Sequence, residues 1–485
     1  MRKFVSIVLA IVLMFSVCMP AFAAGSVGAE NEPTPPEYPL IVIRGVNFMN
    51  EYLDVGTYNE RIYIPPIKAS DIFAAVFKGA AAYAVTSDKK KFLTPVLDYL
   101  NETFKYIACD KNGDSVYNVG VYEYPLSAAN YEDFPLGDDH EEGILTEAVN
   151  RYGAEYVYYF NYDWRIDPLD AADKINEMIE RALLDHGCDK VNIICCSMGG
   201  VMTVGYLYKY GYDKVNKIVF LSAVLDGTYM VSDVYQGKIN FNPVYAYNFL
   251  REGLGLPFIA KILVDILYKA GVIDRLCELL NSFVAEETQF VLDYTVRDIF
   301  GTVSSWWALV IKEEIDDAVN YMFPTDEMKE EYSGLLQRIE RIKEMLYAKD
   351  ELLRNAKADG VGIFVLASYD KPLFPFYERS GSIGDGLETA RMAGGAITAE
   401  YGKTLDVEES EFLSPDKMVD VSTVLFPDST WIIKNAPHVA CKVGSDFAEF
   451  MFCLIDTEEN MTVYSNPRYP RFLCVDKNQN FVPYK

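Results

Sequence analysis

Seven short apolar segments, separated by segments with helical periodicity, constrain the fold of this chain more than any other feature of its sequence. The predicted strands are 40–44, 118–122, 156–161, 191–196, 217–223, 362–368 and 430–434. Several are continuous runs of Val, Ile, Phe and Tyr, which are typical of a parallel sheet that is covered by helices on both faces. The segments 171–186 and 198–210 have helical periodicity. Strands and helices in alternation predict a doubly wound, mostly parallel α/β domain.

The alternation stops between residues 223 and 362, where the sequence has no convincing strand. Three segments in this stretch have helical patterns and a high apolar content: 257–268, 273–283 and 328–355. A helical insertion between two strands of the sheet accounts for this gap. The predicted division is a sheet domain in two parts with a helical cap between them: 24–225, then the cap at 226–360, then 361–485.

Residues 1–23 have the three parts of a secretory signal peptide. Arg2 and Lys3 form a basic start, residues 4–17 are almost wholly apolar, and small residues precede a plausible cleavage site near Ala23. The apolar run is shorter than the roughly 20 residues that a membrane-spanning helix needs. We therefore expect the mature protein to be secreted.

The charge balance is strongly acidic. The chain has 44 Lys and Arg against 71 Asp and Glu, a formal net charge of −27, and loss of Arg2 and Lys3 with the signal peptide takes it to −29. Nucleic acid is therefore a poor partner. Such a charge keeps a secreted protein soluble and weakens its attraction to anionic membranes. Transient contact with a membrane surface is expected only through a local patch of different character.

Eight of the nine cysteines follow the predicted cleavage site, and an even number permits disulfides in a secreted chain. They are scattered over predicted strands and helices, and Cys195 and Cys196 are adjacent on one strand, which favours free thiols that pack as small hydrophobic groups. No Cys-x-x-Cys pair occurs, and the only histidines are His140, His186 and His438. The sequence therefore predicts no metal site and no cofactor.

The strongest local motif is the segment 190–200, in which an apolar strand leads into Ser197 and then directly into a helix. This is the setting of a nucleophile elbow, the tight turn that exposes a serine hydroxyl at the carboxyl edge of an α/β-hydrolase sheet. The turn needs small residues two positions before and two positions after the serine. Gly199 takes the second of these positions, and Cys195 takes the first, where glycine is usual. We predict Ser197 as the nucleophile of an α/β-hydrolase.

A serine nucleophile needs a base, which is usually a histidine. His140 lies in an acidic stretch that is typical of a solvated loop, and His186 ends a predicted helix. His438 follows the strand 430–434 and comes after Ser197 in the chain, which matches the serine, acid, histidine order of this fold. His438 is therefore the predicted base.

The acid is expected after a strand between these two residues, because ligand chemistry in open α/β sheets takes place at the carboxyl ends of the strands. Asp370 follows the strand 362–368 and is the predicted acid, and Asp226, after the preceding strand, is the alternative. The acid holds the base in the required tautomer and stabilises the imidazolium that forms.

Backbone N–H groups are expected to stabilise the oxyanion of a tetrahedral intermediate. Met198, directly after the nucleophile, is one predicted donor. The other is expected after the first strand, where Gly45 marks the strand end. Val46 is the predicted donor there, and Asn47 is the alternative.

Four motifs are similar to motifs of the lecithin:cholesterol acyltransferase family. They are Tyr-Asp-Trp-Arg at 162–165, Ser-Met-Gly-Gly at 197–200, Ser-Trp at 305–306 and Thr-Trp at 430–431. The resemblance implies an esterase or acyltransferase that acts on lipid esters, with Ser197, Asp370 and His438 at the positions of the family triad. Two positions depart from the family pattern. Cys195 replaces glycine, and Arg44 stands where proline usually precedes the oxyanion glycine.

We therefore predict a secreted serine hydrolase that acts on lipid or other carboxylic esters through an acyl-enzyme, with water or another alcohol as the acceptor. An acyl chain needs an apolar pocket, and the adjacent Trp306 and Trp307 in the cap are the predicted substrate-binding residues. Two alternatives stay open. One is a catalytically inactive protein of this fold that binds a lipid or envelope component, and the other is a peptidase or amidase with the same triad.

Overall fold

The computed structural model of the chain describes residues 33–46, 51–64, 69–137, 140–253, 257–370, 384–385, 387–400, 403–436, 438, 446–477 and 480–485. The strands in these residues are β1 (Leu40–Ile43), β2 (Tyr52–Leu53), β3 (Arg61–Ile62), β4 (Val119–Gly120), β5 (Val157–Phe160), β6 (Val191–Cys196), β7 (Val215–Leu221), β8 (Gly362–Tyr369), β9 (Ile397–Thr398), β10 (Val419–Asp420), β11 (Thr430–Lys434), β12 (Phe472–Val475) and β13 (Phe481–Pro483).

The α-helices of the same residues are α1 (Ala69–Thr86), α2 (Lys89–Phe104), α3 (His140–Tyr152), α4 (Pro168–His186), α5 (Gly199–Tyr210), α6 (Tyr229–Tyr235), α7 (Pro243–Asn248), α8 (Phe258–Lys269), α9 (Val272–Val291), α10 (Ser304–Trp307), α11 (Ile315–Met322), α12 (Asp326–Glu331), α13 (Ser333–Ala358), α14 (Thr389–Met392) and α15 (Asp446–Asp456). Two π-helical segments, Phe249–Gly253 and Leu292–Phe300, continue α7 and α9.

Eight of the strands form one large sheet in the order β13-β12-β11-β8-β7-β6-β1-β5. Every neighbouring pair is parallel except β12 and β13. Side chains alternate between the two faces of a strand. Accordingly, Ile41 and Ile43 of β1 belong to one hydrophobic cluster, and Leu40 and Val42 belong to another. The parallel sheet with a core on each face is an α/β-hydrolase fold, as the alternation of strands and helices predicted.

The central strand β6 determines where a site can form. It lies between β1 and β7, and all six of its residues are buried. Parallel strands end at the same edge of a sheet, so the segments that follow β1, β6, β7, β8 and β11 meet at one edge. The predicted residues Val46, Ser197, Asp370 and His438 follow four of these strands in the chain and are therefore expected at this edge.

Two parts of the sheet differ from the sequence-based prediction. The predicted strand 118–122 forms only the two-residue β4, which pairs with β2 in a separate three-stranded antiparallel sheet. Strands β12 and β13 were not predicted, because both are short and only partly buried. They extend the sheet beyond β11, and β13 closes its edge as an antiparallel strand.

Helices occupy the stretch between β7 and β8, and its described residues contain no strand. These are α6 to α13 with the two π-helical segments. Helices α1 and α2, from the first half of the chain, pack against this layer. The Phe283 ring of α9 lies 5.0 Å from the Tyr83 ring of α1 and 5.1 Å from the Phe92 ring of α2, centroid to centroid. The helical layer is therefore built from two separate parts of the sequence.

None of the described helices is both long and apolar enough to span a membrane. The predicted signal peptide, residues 1–23, lies outside the described residues.

Candidate active site

The turn between β6 and α5 holds Ser197 with a backbone φ of +50°. This left-handed conformation is rare for a residue other than glycine and is typical of a strained turn at a functional site. The two glycines after Met198 allow the close packing that the turn requires. A Cβ atom on Gly199 would lie 2.6 Å from the carbonyl oxygens of Ile43 and Arg44, and one on Gly200 would lie 2.6 Å from Cβ of Ala223. The local geometry is that of a nucleophile elbow.

Cys195 fits where the elbow usually has glycine. Its side chain is fully buried, and its thiol donates to the backbone carbonyl of Val219 on the neighbouring strand β7, with an Sγ to oxygen distance of 3.5 Å. Burial raises the pKa of this thiol to about 12. The cysteine therefore packs as a small neutral group beneath the turn.

Ser197 and His438 are in hydrogen-bond contact. The distance between Oγ of Ser197 and Nε2 of His438 is 2.9 Å. His438 comes from the segment after β11, and both side chains are only partly buried. An imidazole at this distance is placed to accept the serine proton.

The acid that contacts His438 is Asp385, and the prediction of Asp370 is corrected. Nδ1 of His438 lies 3.0 Å from Oδ1 of Asp385, which is fully buried. Asp370 instead lies near Lys434, with an Nζ to Oδ2 distance of 3.7 Å. The alternative, Asp226, forms an ion pair with Lys349. The physical reason is the length of the connection after β8, because Asp385 lies sixteen residues beyond the strand end at Tyr369.

Two further groups hold the Asp385 carboxylate. The Ser222 hydroxyl donates to Oδ2 at 2.9 Å, and the backbone N–H of Leu387 donates to Oδ1 at 3.2 Å. Ser222 follows β7 directly, is fully buried and has a φ of +44°. Sequence reasoning missed both Asp385 and Ser222.

The two predicted oxyanion donors lie on either side of the elbow. Met198 is buried at the start of α5, and Val46 is partly buried just after β1. Strand β1 pairs with β6, with Ile43 opposite Cys195. The end of β1 is therefore adjacent to the turn at Ser197. The alternative donor, Asn47, lies outside the described residues.

The motif at 162–165 follows the end of β5, the strand beside β1. Arg165 forms an ion pair with Asp163 at 2.6 Å and donates to Oγ of Ser115 at 2.9 Å and to the carbonyl oxygen of Tyr106 at 3.2 Å. Trp164 is fully buried. The described contacts of this motif are therefore internal and fix the loop after α2 to the end of β5.

The two predicted substrate-binding tryptophans differ. Trp307 is fully buried, its indole Nε1 donates to the carbonyl oxygen of Gly301 at 2.9 Å, and its ring packs on Tyr235. This satisfied interior position corrects its predicted substrate-binding role. Trp306 is partly exposed, and its ring contacts Trp164 edge to face at 5.8 Å. The helical turn points the two neighbouring rings in different directions, so only Trp306 lies near the surface.

The described residues contain no group of three or more His, Cys, Asp or Glu side chains that could hold a metal ion. The seven described cysteines are free thiols, and Cys441 lies outside the described residues. The His186 ring stacks on the Tyr156 ring, with 4.3 Å between the ring centroids. The histidine that contacts Oγ of Ser197 is His438. Helix α3 begins at His140.

No protein-family model and no curated protein matches the chain. A chain in the crystal structure of the Tle4–Tli4 complex aligns with 12% identity over 70% of this chain and 75% of that chain, with a TM-score of 0.29. Carboxylesterase CesB (YbfK) from Bacillus subtilis aligns with 9% identity over 94% of this chain and 97% of its own, with a TM-score of 0.26. The assignment of an α/β-hydrolase fold rests on the strand order and the connections described above.

Proposed function

We propose that the protein is a serine hydrolase that cleaves carboxylic esters, lipid esters in particular, through an acyl-enzyme on Ser197. One observation carries the proposal. A line of hydrogen bonds runs from Oγ of Ser197 through the two ring nitrogens of His438 to Oδ1 of Asp385, with distances of 2.9 and 3.0 Å. This arrangement turns a weakly nucleophilic hydroxyl into an effective nucleophile.

In the proposed reaction, Nε2 of His438 takes the proton of Ser197 as Oγ attacks the ester carbonyl carbon. Asp385 stabilises the imidazolium that results. The tetrahedral intermediate then collapses, the carbon–oxygen bond to the alcohol breaks, and His438 returns the proton to the departing alkoxide. Water, deprotonated by the same imidazole, attacks the acyl-enzyme and releases the carboxylic acid. These steps need no cofactor.

The oxyanion of the intermediate requires donors that are in place before the reaction. We assign this role to the backbone N–H groups of Met198 and Val46. The positions of the two residues support this role. Met198 follows the nucleophile directly, and Val46 follows β1, the strand that packs against the elbow.

Lipid esters are favoured by the resemblance to the lecithin:cholesterol acyltransferase family and by one apolar surface. On α8, Phe258 is 77% exposed and Ile259 is 81% exposed, and Ile262 and Ile266 on the following turns are also exposed. The other side of this helix buries Val264 in a small separate cluster. An exposed apolar face of this kind on an acidic protein is the local patch through which we propose transient contact with a lipid surface.

Two finer properties are also proposals. Water is the favoured acyl acceptor, and transfer to another alcohol is the alternative. Secretion with cleavage near Ala23 is proposed from the sequence of residues 1–23. N-terminal sequencing of protein recovered from the medium of a producing cell tests the cleavage site.

Labelling with a fluorophosphonate probe tests the proposed function, because the probe modifies an activated serine. Wild-type protein should be labelled at Ser197, and heat-denatured protein and Ser197→Ala should not. Ser232→Ala is a matched control, since this buried hydroxyl accepts a hydrogen bond from the backbone of Ile311 and has no part in the proposed reaction.

The result also separates the alternatives. Folded wild-type protein that neither reacts with the probe nor hydrolyses aryl esters would be the catalytically inactive binding protein. Labelled protein that cleaves an anilide faster than the matched aryl ester would be an amidase. Ester turnover that rises with acyl-chain length would support lipid esters.

A further inference from the structure

A buried arginine–glutamate pair flanks the backbone that carries the Val46 amide. Nη2 of Arg44 lies 3.0 Å from Oε1 of Glu51, and both side chains are fully buried. Gly45 and Val46 follow Arg44 directly, and Glu51 is the seventh residue after it. Glu51 therefore holds the side chain of the residue that stands two positions before the proposed oxyanion donor.

Both members of the pair are also tied to the end of β5. Arg44 Nη2 donates to the carbonyl oxygen of Tyr162 at 2.6 Å, and the Tyr162 hydroxyl donates back to the carbonyl oxygen of Arg44 at 3.1 Å. The backbone N–H of Trp164 donates to Oε1 of Glu51 at 3.1 Å. The motif at 162–164 thus anchors the segment at two points.

This backbone packs directly against the nucleophile turn. The carbonyl oxygens of Ile43 and Arg44 lie where a Cβ atom on Gly199 would be only 2.6 Å away. The backbone at Ile43 and Arg44 is therefore in close contact with the turn that follows Ser197.

Burial of this pair is costly. Ionisable groups in the interior lose much of their hydration, and well-packed apolar residues often stabilise a fold equally well. Burial, with a contribution from Asp163, raises the pKa of Glu51 to about 8, although Arg44 and the Trp164 amide oppose this shift.

We propose that the Arg44–Glu51 pair is a positioning device that holds the backbone of Gly45 and Val46 in the geometry required for binding the oxyanion. This inference rests on the proposed function, because it assigns a role within the same reaction. Arg44 and Glu51 are positioning residues and do not touch the substrate.

The double variant Arg44→Met, Glu51→Leu tests this role, because it removes the hydrogen-bonding groups of both side chains and keeps apolar bulk. Loss of a donor to the oxyanion typically lowers kcat by roughly 10²- to 10³-fold, and displacement of one donor should approach that effect. We expect kcat for a short-chain aryl ester to fall at least roughly tenfold with little change in KM. Affinity for an aryl boronic acid, which forms a tetrahedral adduct on an activated serine, should fall by the same factor.

Two further variants keep the result interpretable. Glu51→Gln retains the Oε1 acceptor for Arg44 and for the Trp164 amide, so it should retain most of the turnover. The control Asp226→Leu, Lys349→Met removes another ion pair, between the buried Lys349 and the partly buried Asp226. Among the described side-chain contacts this pair does not touch Arg44, Glu51, Ser197, His438 or Asp385, so kcat should stay unchanged. A loss of kcat in the control equal to that of the test variant would show general destabilisation and overturn the inference.

Other outcomes also decide the question. A folded double variant with wild-type kcat and wild-type boronate affinity would reduce the pair to a structural contact. If the double variant does not fold, Glu51→Gln and Glu51→Ala replace it, and equal kcat values for these two would contradict the inference. Wild-type protein without probe labelling would instead remove the proposed function itself.

Discussion

The hydroxyl of Ser222 donates a 2.9 Å hydrogen bond to Oδ2 of Asp385, the carboxylate oxygen that His438 does not contact. The backbone N–H of Leu387 donates to the other oxygen. Asp385 is fully buried, so its orientation depends on these donors and not on solvent. Ser222 also follows the strand whose last carbonyl, that of Leu221, accepts from the backbone N–H of Ser197. The end of β7 thus contacts both Ser197 and Asp385.

Replacement of Ser222 by alanine should therefore lower kcat with little effect on KM. A hydrogen bond to a charged group contributes about 1.5–3 kcal/mol, so we expect a fall in kcat of roughly tenfold or more. Alanine retains the Cβ atom and thus the strain at φ +44°, which isolates the effect of the hydroxyl. Steady-state kinetics with a short-chain aryl ester measure it, and Ser232→Ala is the control for loss of a buried hydroxyl. An unchanged kcat in folded Ser222→Ala would contradict the role.

The assignment of the acid is tested by three parallel substitutions. Asp385→Asn should lower kcat by roughly 10³- to 10⁴-fold, because an asparagine favours the wrong tautomer of His438. Asp370→Asn should change kcat by less than about threefold, because the acid of a triad acts through its contact with the histidine. Asp226→Asn should lower the free energy of unfolding, since it weakens the ion pair with Lys349. A severe loss of kcat in folded Asp370→Asn, with Asp385→Asn nearly unaffected, would restore the sequence-based choice.

The predicted acid is Asp370, whereas the carboxylate that contacts His438 is that of Asp385. The two differ because only some residues of a site have a local signature in the sequence. Ser197 has a local signature, because strand, serine and helix follow one another within a few residues, and only three histidines had to be compared with it. Asp385 has no such signature. It lies in the long connection between β8 and β11, which contains many carboxylates, and only the three-dimensional path brings one of them to His438. Sequence reasoning identified the correct connection but not the residue.

The tryptophans show a similar limit. Trp306 and Trp307 are adjacent and chemically identical, yet one is partly exposed and the other is fully buried against Tyr235. Which side of a short helix faces the interior depends on its neighbours, here α6, and not on local pattern. The overall alternation of strands and helices was predictable because it reflects burial of the whole sheet.

The cysteines of β6 should be inert under native conditions. Cys195 and Cys196 are fully buried, and burial raises the pKa of Cys195 to about 12, so little reactive thiolate is present. Native treatment with iodoacetamide should leave both unmodified and the ester turnover intact, while denatured protein should react at both. Peptide mass spectrometry measures this, with the partly buried Cys188 and Cys474 as internal controls. Rapid native alkylation of Cys195 would mean that the elbow opens.

Stability should depend on pH through Glu388. Burial raises the pKa of this carboxyl to about 7, despite contacts with Thr228, Tyr229 and Arg391 that lower it. Between its ordinary pKa near 4.5 and about 7, the folded chain binds more protons at this site than the unfolded chain. The free energy of unfolding should therefore fall as pH rises through this window, by roughly 3 kcal/mol at most.

Urea unfolding of wild type and Glu388→Gln at pH 5 and pH 8 measures this contribution. The wild type should lose stability relative to the variant as the pH rises, because glutamine does not ionise. Glu459→Gln, at an exposed position, is the control for the overall charge of the chain. A difference between wild type and Glu388→Gln that is the same at both pH values would exclude the predicted linkage.

The partly exposed Trp306 should influence the choice of acyl chain, whereas its neighbour should influence stability alone. The Trp306 ring packs on Trp164, whose backbone N–H donates to Glu51, so it lies one contact away from the segment that carries Val46. If this ring lines the acyl pocket, Trp306→Ala should weaken use of long-chain esters more than short ones, because each methylene contact is worth up to about 0.8 kcal/mol. Trp307→Ala should lower the free energy of unfolding by roughly 3–5 kcal/mol and leave the chain-length profile of the remaining folded enzyme unchanged. Values of kcat/KM for esters with four to sixteen acyl carbons, measured below the unfolding temperature of each variant, provide the comparison. An unaltered profile in folded Trp306→Ala would place the acyl pocket elsewhere in the helical layer.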